Sequence, residues 1–174
     1  MATFLRDHAA TLRSGGGHAS KEAPPLTALQ RLVMGASSLL YLVCAASWLR
    51  VGFFWLGMWF CMVSALSVCG DALSGLLRDG LMQRVRVADR TVGTFGLLAS
   101  VVFNSTTTLN TILSLAAVST ALLWLAKGRA VAKAEPRARW RYLYYHGMWH
   151  AYGAAVLTAL TINAHGGRAL SDGD

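Results

Sequence analysis

The chain has 174 residues, of which 55% are hydrophobic and only 14% charged, with a mean hydropathy of +0.44 and a formal charge of +8. That composition excludes an ordinary water-soluble domain and puts the chain in the membrane class. The positive charge does not describe a nucleic-acid-binding surface, because the basic residues sit between long apolar stretches.

Residues 1–28 carry arginines, few acids and no apolar core of signal-peptide length, the composition of an organellar targeting segment and equally of a flexible or partner-bound tail. Glycines at 15–17 with Pro24 and Pro25 separate this tail from the remainder of the chain. Residues 29–164 read as an all-α polytopic transmembrane bundle of about five spanning helices, at about 30–49, 51–77, 91–103, 109–126 and 142–163. Most of these approach the roughly 20 residues needed to cross a bilayer core. The third is short unless it begins in the preceding polar segment. "NSTTTLN" after it is an uncharged turn, and the N-S-T triplet at Asn104 lies too close to the membrane to read as a glycosylation site. Residues 165–174 form a polar tail. Cys44, Cys61 and Cys69 all lie in apolar stretches without pairing signals and read as small buried thiols. There is no internal repeat and no nucleotide-binding glycine loop.

The basic residues orient the bundle. Of the sixteen lysines and arginines, four precede the first span, four lie at 78–90, and six lie at 127–141. Five spans with the N-terminus inside put all of these on one face and leave only Arg50 and Arg168 opposite, as the positive-inside rule requires. Trp140, Tyr142, Tyr144 and Tyr145 make an aromatic belt where the last span enters from the basic side.

Polar residues within the spans are the candidate site. An aspartate inside a transmembrane helix costs about 2.5–3.5 kcal/mol near the centre, so Asp71 is expected to have a partner or a task. Ser64 and Ser67 precede it by one to two turns, and Asp89 lies where the third span begins. His146 and His150, four apart, share a face of the last helix. All six residues fall in the basic-side half of the bundle, with His146, His150 or Arg90 the expected partners of Asp71. Two imidazoles with one or two carboxylates suit zinc. "HGMWH" is not the metalloprotease H-E-x-x-H, because Gly147 follows His146. The alternative is that these groups hydrogen-bond one another and fix helix register.

The order Ser64, Asp71, Asp89 and "HGMWH" resembles the CREST superfamily of seven-span membrane proteins, which includes alkaline ceramidases, adiponectin-receptor-like and myomaker-like proteins. The resemblance is carried by residues 64–100 and 142–160. It implies zinc binding and, in several members, hydrolysis of lipid amides. The matching positions are Ser64, Asp89, His146 and His150, with Asp71 matching an additional acid of the myomaker-like branch. The chain departs from the pattern at Val68, where the early-helix histidine would stand, and in having five spans rather than seven.

Two functions are expected on these grounds. The first is an accessory or structural subunit of a larger membrane complex, most naturally of the mitochondrial inner membrane, with no cofactor and with membrane lipids and other subunits as partners. Small residues such as Gly35, Ser37, Ser64 and Gly70 supply its close helix contacts. The alternative is a zinc-dependent membrane hydrolase acting on lipid amides, with His146, His150, Asp71 and Asp89 holding the metal and Ser64, Asp71 and Asp89 serving catalysis. A lipid or quinone held between helices is compatible with either.

Overall fold

The computed structural model describes residues 26–73, 76, 79–135 and 137–166. The expected tails lie almost wholly outside these residues, as do Ser74, Gly75 and Arg78. The described residues form helices α1 (Ala28–Ser38), α2 (Tyr41–Arg50), α3 (Phe54–Ala72), α4 (Asp79–Asn104), α5 (Thr108–Ala134) and α6 (Arg139–His165), with no strand among them. The protein is an all-α helical bundle of membrane type.

Helix α1 starts at a capping box: Thr27 Oγ1 accepts from the Gln30 amide (3.2 Å) and Gln30 Oε1 from the Thr27 amide (3.0 Å). The first expected span, a single helix at 30–49, is instead broken at Leu39 and Leu40. No proline or glycine causes the break. The Ser37 hydroxyl donates to the Met34 carbonyl (2.7 Å), which bends helices. The amides of Leu39, Leu40, Leu42 and Val43 then turn to carbonyls three residues back, tightening the backbone toward 3₁₀ geometry. Together α1 and α2 still make one kinked leg, residues Ala28–Arg50, long and apolar enough to span.

A tight turn joins α2 to α3. Gly52 adopts φ +86°, a conformation open to glycine at little cost, and the Phe53 amide reaches back to the Trp48 carbonyl (2.9 Å). Helix α3 ends at Ala72 rather than at the expected 77. Helix α4 begins at Asp79, so the polar stretch 79–90 is the first half of a 26-residue helix and not a loop before the third span. Helix α5 likewise runs beyond 126, to Ala134.

Three legs are long and apolar enough to cross a membrane: Ala28–Arg50, Phe54–Ala72 and Thr108–Ala134. Helices α4 and α6 match them in length but carry arginines in their N-terminal halves, which lowers their mean hydropathy. The core lies between α2, α3 and α6, where Tyr41, Cys44, Trp48, Phe60, Val63, Ala154 and Leu157 pack. The outer surface is also apolar. Trp55 is 83% exposed, Val102 70% and Leu32 67%. Between 22% and 44% of the most apolar stretch of each spanning leg is buried inside the bundle. In water such a surface would be costly at about 25 cal/mol per Å²; in lipid it is the expected exterior.

Helix α6 is the central leg and packs against α1, α2, α4 and α5. His165, expected to open the polar tail, is its last residue; it is buried against Trp48 and Phe53, and its Nε2 lies 2.9 Å from the Phe103 carbonyl. Nearby, the fully buried Asn104 donates to Thr161 Oγ1 (3.4 Å), so the N-S-T triplet presents no accessible acceptor.

Candidate metal centre

Close helix approach builds the site. A Cβ added at Gly35 would lie 2.8 Å from Ala72 Cβ, so α1 and α3 meet almost backbone to backbone. That contact brings the last turn of α1 against the last turn of α3. Ser38 Oγ donates to Asp71 Oδ2 (2.9 Å) as a result. Ser64, a candidate nucleophile or orienting group from sequence, has another task. The helix break turns the Leu42 amide to Leu39, and Ser64 Oγ donates to the Ser38 carbonyl (3.1 Å).

Helix α6 supplies the imidazoles. His146 Nε2 lies 3.0 Å from Asp71 Oδ2, with both side chains 15% exposed. His150, one turn on and 3% exposed, turns Nδ1 toward Ser37 Oγ (3.0 Å) and Ser38 Oγ (3.3 Å). Each serine hydroxyl has one proton. Ser37 gives its proton to the Met34 carbonyl and Ser38 to Asp71. Both oxygens are therefore left to accept from Nδ1–H of His150, which assigns its tautomer and leaves the Nε2 lone pair for a further partner. The two rings stand 4.6 Å apart between centroids, and Tyr41 covers His150 at 5.2 Å.

Asp71, His146 and His150 each offer a donor atom, and the three lie within 4.8 Å of one another. Bond lengths of 2.0–2.1 Å put neighbouring ligand atoms of a tetrahedral zinc about 3.4 Å apart. The pair of Asp71 and His146, 3.0 Å apart, is already near that separation, and no two of the three donor atoms are more than 4.8 Å apart. Two nitrogens and one carboxylate oxygen suit a zinc-type divalent cation with one position open. Asp71, one turn beyond Val68, is thus the one carboxylate that stands with the two histidines among the described residues.

Asp89 is not in the group of three. Its carboxylate accepts from the Ser67 hydroxyl. Helix α4 is fixed for this contact by Trp59, whose indole Nε1 donates to the Val92 carbonyl (3.0 Å). Asp89 remains within electrostatic range of Asp71, His146 and Arg90.

The sequence reading missed Ser38, which binds both Asp71 and His150. It also missed Tyr41 and the placement of Tyr142, whose hydroxyl lies 3.5 Å from His146 Nδ1. The one signal for Ser38 was the Ser-Ser pair interrupting an apolar helix. Comparison with family models, with curated proteins and with solved structures finds no match in any of the three.

Proposed function

We propose that this protein is a CREST-like membrane hydrolase in which Asp71, His146 and His150 hold a zinc-type cation, and that it acts on an acyl linkage of a lipid. The observation that carries this reading is the convergence of one carboxylate and two imidazoles from α3 and α6 within 4.8 Å in the bundle interior. A bound zinc would supply a Lewis acid and a water acidified for attack. Ser37 and Ser38 fix the ring of His150 and its tautomer. Asp89, which accepts from Ser67 and acts electrostatically on the same cluster, would on this reading exchange a proton with the reacting group. Ser64 is a positioning residue, because its proton is committed to the Ser38 carbonyl.

A second reading has its own support. Asp71 accepts from both Ser38 and His146, so its carboxylate is satisfied by protein groups alone. On that reading the network fixes helix register in an accessory subunit of a larger membrane complex. The arginine-bearing, acid-poor N-terminal segment favours the mitochondrial inner membrane for such a subunit.

Elemental analysis of the full chain, purified without chelators, separates the two. The hydrolase reading expects about one zinc per chain, lost in the His146→Ala, His150→Ala double variant. Absence of zinc from the parent, together with comigration in a large complex on native electrophoresis, would establish the subunit instead.

A further inference from the structure

The half of the bundle remote from the candidate metal centre is polar in a different way. Around Asp71 the hydroxyls of Ser37, Ser38, Ser64 and Ser67 each donate to a protein group. At the other end of α6, His165 lies about 22 Å along the helix from His150. There, among the described residues, five buried side-chain atoms have no hydrogen-bond partner: Trp48 Nε1, Ser100 Oγ, Asn104 Oδ1, Ser114 Oγ and His165 Nδ1. His165 is 3% exposed, and the other four residues are fully buried. Buried polar groups are normally paired with protein or with ordered water, and lipid around a bundle offers them nothing.

These residues belong to one junction of α2, α4, α5 and α6. The rings of Trp48 and His165 stand 5.7 Å apart between centroids, and Phe53 stands 4.9 Å from His165 and 5.5 Å from Phe103. His165 Nε2 lies 2.9 Å from the Phe103 carbonyl, and the next residue, Asn104, donates through Nδ2 to Thr161 Oγ1, one turn before His165 (3.4 Å). Ser100 is one turn before Asn104 on α4. Ser114 is one turn beyond Asn110 on α5, whose Oδ1 accepts from Asn163 of α6 (3.0 Å).

The donor and acceptor types decide what fits. Trp48 Nε1–H can only donate, and Asn104 Oδ1 can only accept. The Phe103 carbonyl accepts, so His165 Nε2 carries a proton, and in the neutral ring Nδ1 is then a bare acceptor. An indole N–H repels a cation, and two lone pairs repel an anion. The partner must therefore be neutral and both donate and accept. Water has two protons for the two acceptors and lone pairs for the indole, whereas an alcohol has a single proton. The atoms are enclosed by protein, which suits a molecule with no chain attached.

We propose that this junction is a water-binding site, in which water bridges Trp48, Asn104 and His165 and reaches the hydroxyls of Ser100 and Ser114. The proposal is independent of the metal centre and of the reaction ascribed to it.

The test uses the full chain in detergent micelles with ¹⁵N-labelled tryptophan, and Trp48→Phe identifies the indole signal of residue 48. Nuclear Overhauser and rotating-frame transfer from water to that indole proton should give a direct cross-peak with the sign of a long-lived bound molecule. A Trp48 indole signal without a direct water cross-peak would overturn the site. Cross-peaks to detergent or lipid protons in its place would overturn the assignment to water. Thermal unfolding supplies a second, independent measurement. Ser100→Ala and Ser114→Ala each remove a hydroxyl that has no protein partner among the described residues. Loss of a water-bridged hydroxyl should lower the thermal midpoint by about 2–4 °C, whereas removal of an unbridged buried hydroxyl relieves its desolvation and raises it. A midpoint unchanged or raised in both variants would therefore also count against bound water.

Discussion

Asp71→Asn is the most informative single change, because it keeps the shape of the side chain and removes only the charge. In the structure Asp71 Oδ2 accepts from Ser38 Oγ at 2.9 Å and faces His146 Nε2 at 3.0 Å. Hydrogen bonds to a charged group contribute about 1.5–3 kcal/mol and neutral ones about 0.5–1.5 kcal/mol, so neutralisation forfeits about 1 kcal/mol per partner. Two partners would give about 2 kcal/mol, but they share one oxygen, and side-chain hydrogen bonds in membrane proteins average only about 0.6 kcal/mol. We therefore expect Asp71→Asn to destabilise the metal-free protein by about 1–2 kcal/mol. Reversible unfolding in mixed detergent micelles measures this, with a double-mutant cycle against His146→Ala to isolate the pair. A coupling of about 1 kcal/mol is expected. A stability change within about 0.5 kcal/mol, the range of ordinary surface substitutions, together with no coupling, would refute the reasoning.

Three further outcomes are expected. Cysteines placed at Gly80 and Ala134, both exposed, should label from the same face as the N-terminus; labelling from opposite faces would break the five-leg topology. Gly35→Ala should lower stability by about 1–3 kcal/mol and reduce zinc content, because the added methyl drives α1 from Ala72 and Ser38 from Asp71. Thermal unfolding and metal analysis of that variant check both effects. Ser37→Ala, Ser38→Ala should weaken zinc binding about 10–100-fold, as loss of the groups that orient a ligating imidazole does, measured by competition with a chromogenic chelator.

The helical class and the approximate positions of the legs were legible because apolar runs and turn residues report directly on burial in lipid. The nearness of Asp71 to His146 and His150 was legible too, since four-residue spacing fixes one face of α6 and the basic ends fix depth. The break at Leu39 and Leu40 was not. It has no proline or glycine, and it depends on Ser37 bonding back to Met34 while Ser64 on another helix takes up the Ser38 carbonyl. The helical start at Asp79 was hidden for a related reason. Hydropathy sees the arginines at 84, 86 and 90 as loop, although each is compatible with a helix whose first half leaves the apolar layer. Separating Asp89 from the three donors requires knowing that Ser67 faces it, a relation between two helix rotations that no single periodicity contains.

The pair of Asp71 and His146 joins residues 75 apart in the chain, and this separation has a consequence for biogenesis. A nascent polypeptide that has inserted α1 to α5 holds Asp71 in the bilayer before the last helix has been delivered. During that interval Ser38 is the hydrogen-bond partner of Asp71 already present among the described residues, and the carboxylate still bears part of the insertion cost of an intramembrane acid, about 2.5–3.5 kcal/mol at a helix centre and less in a last turn. Arrival of α6 relieves the cost. Completion of synthesis is thus coupled to completion of the bundle, and a chain truncated before residue 146 carries an acid without its imidazole partner, which distinguishes it from the finished protein.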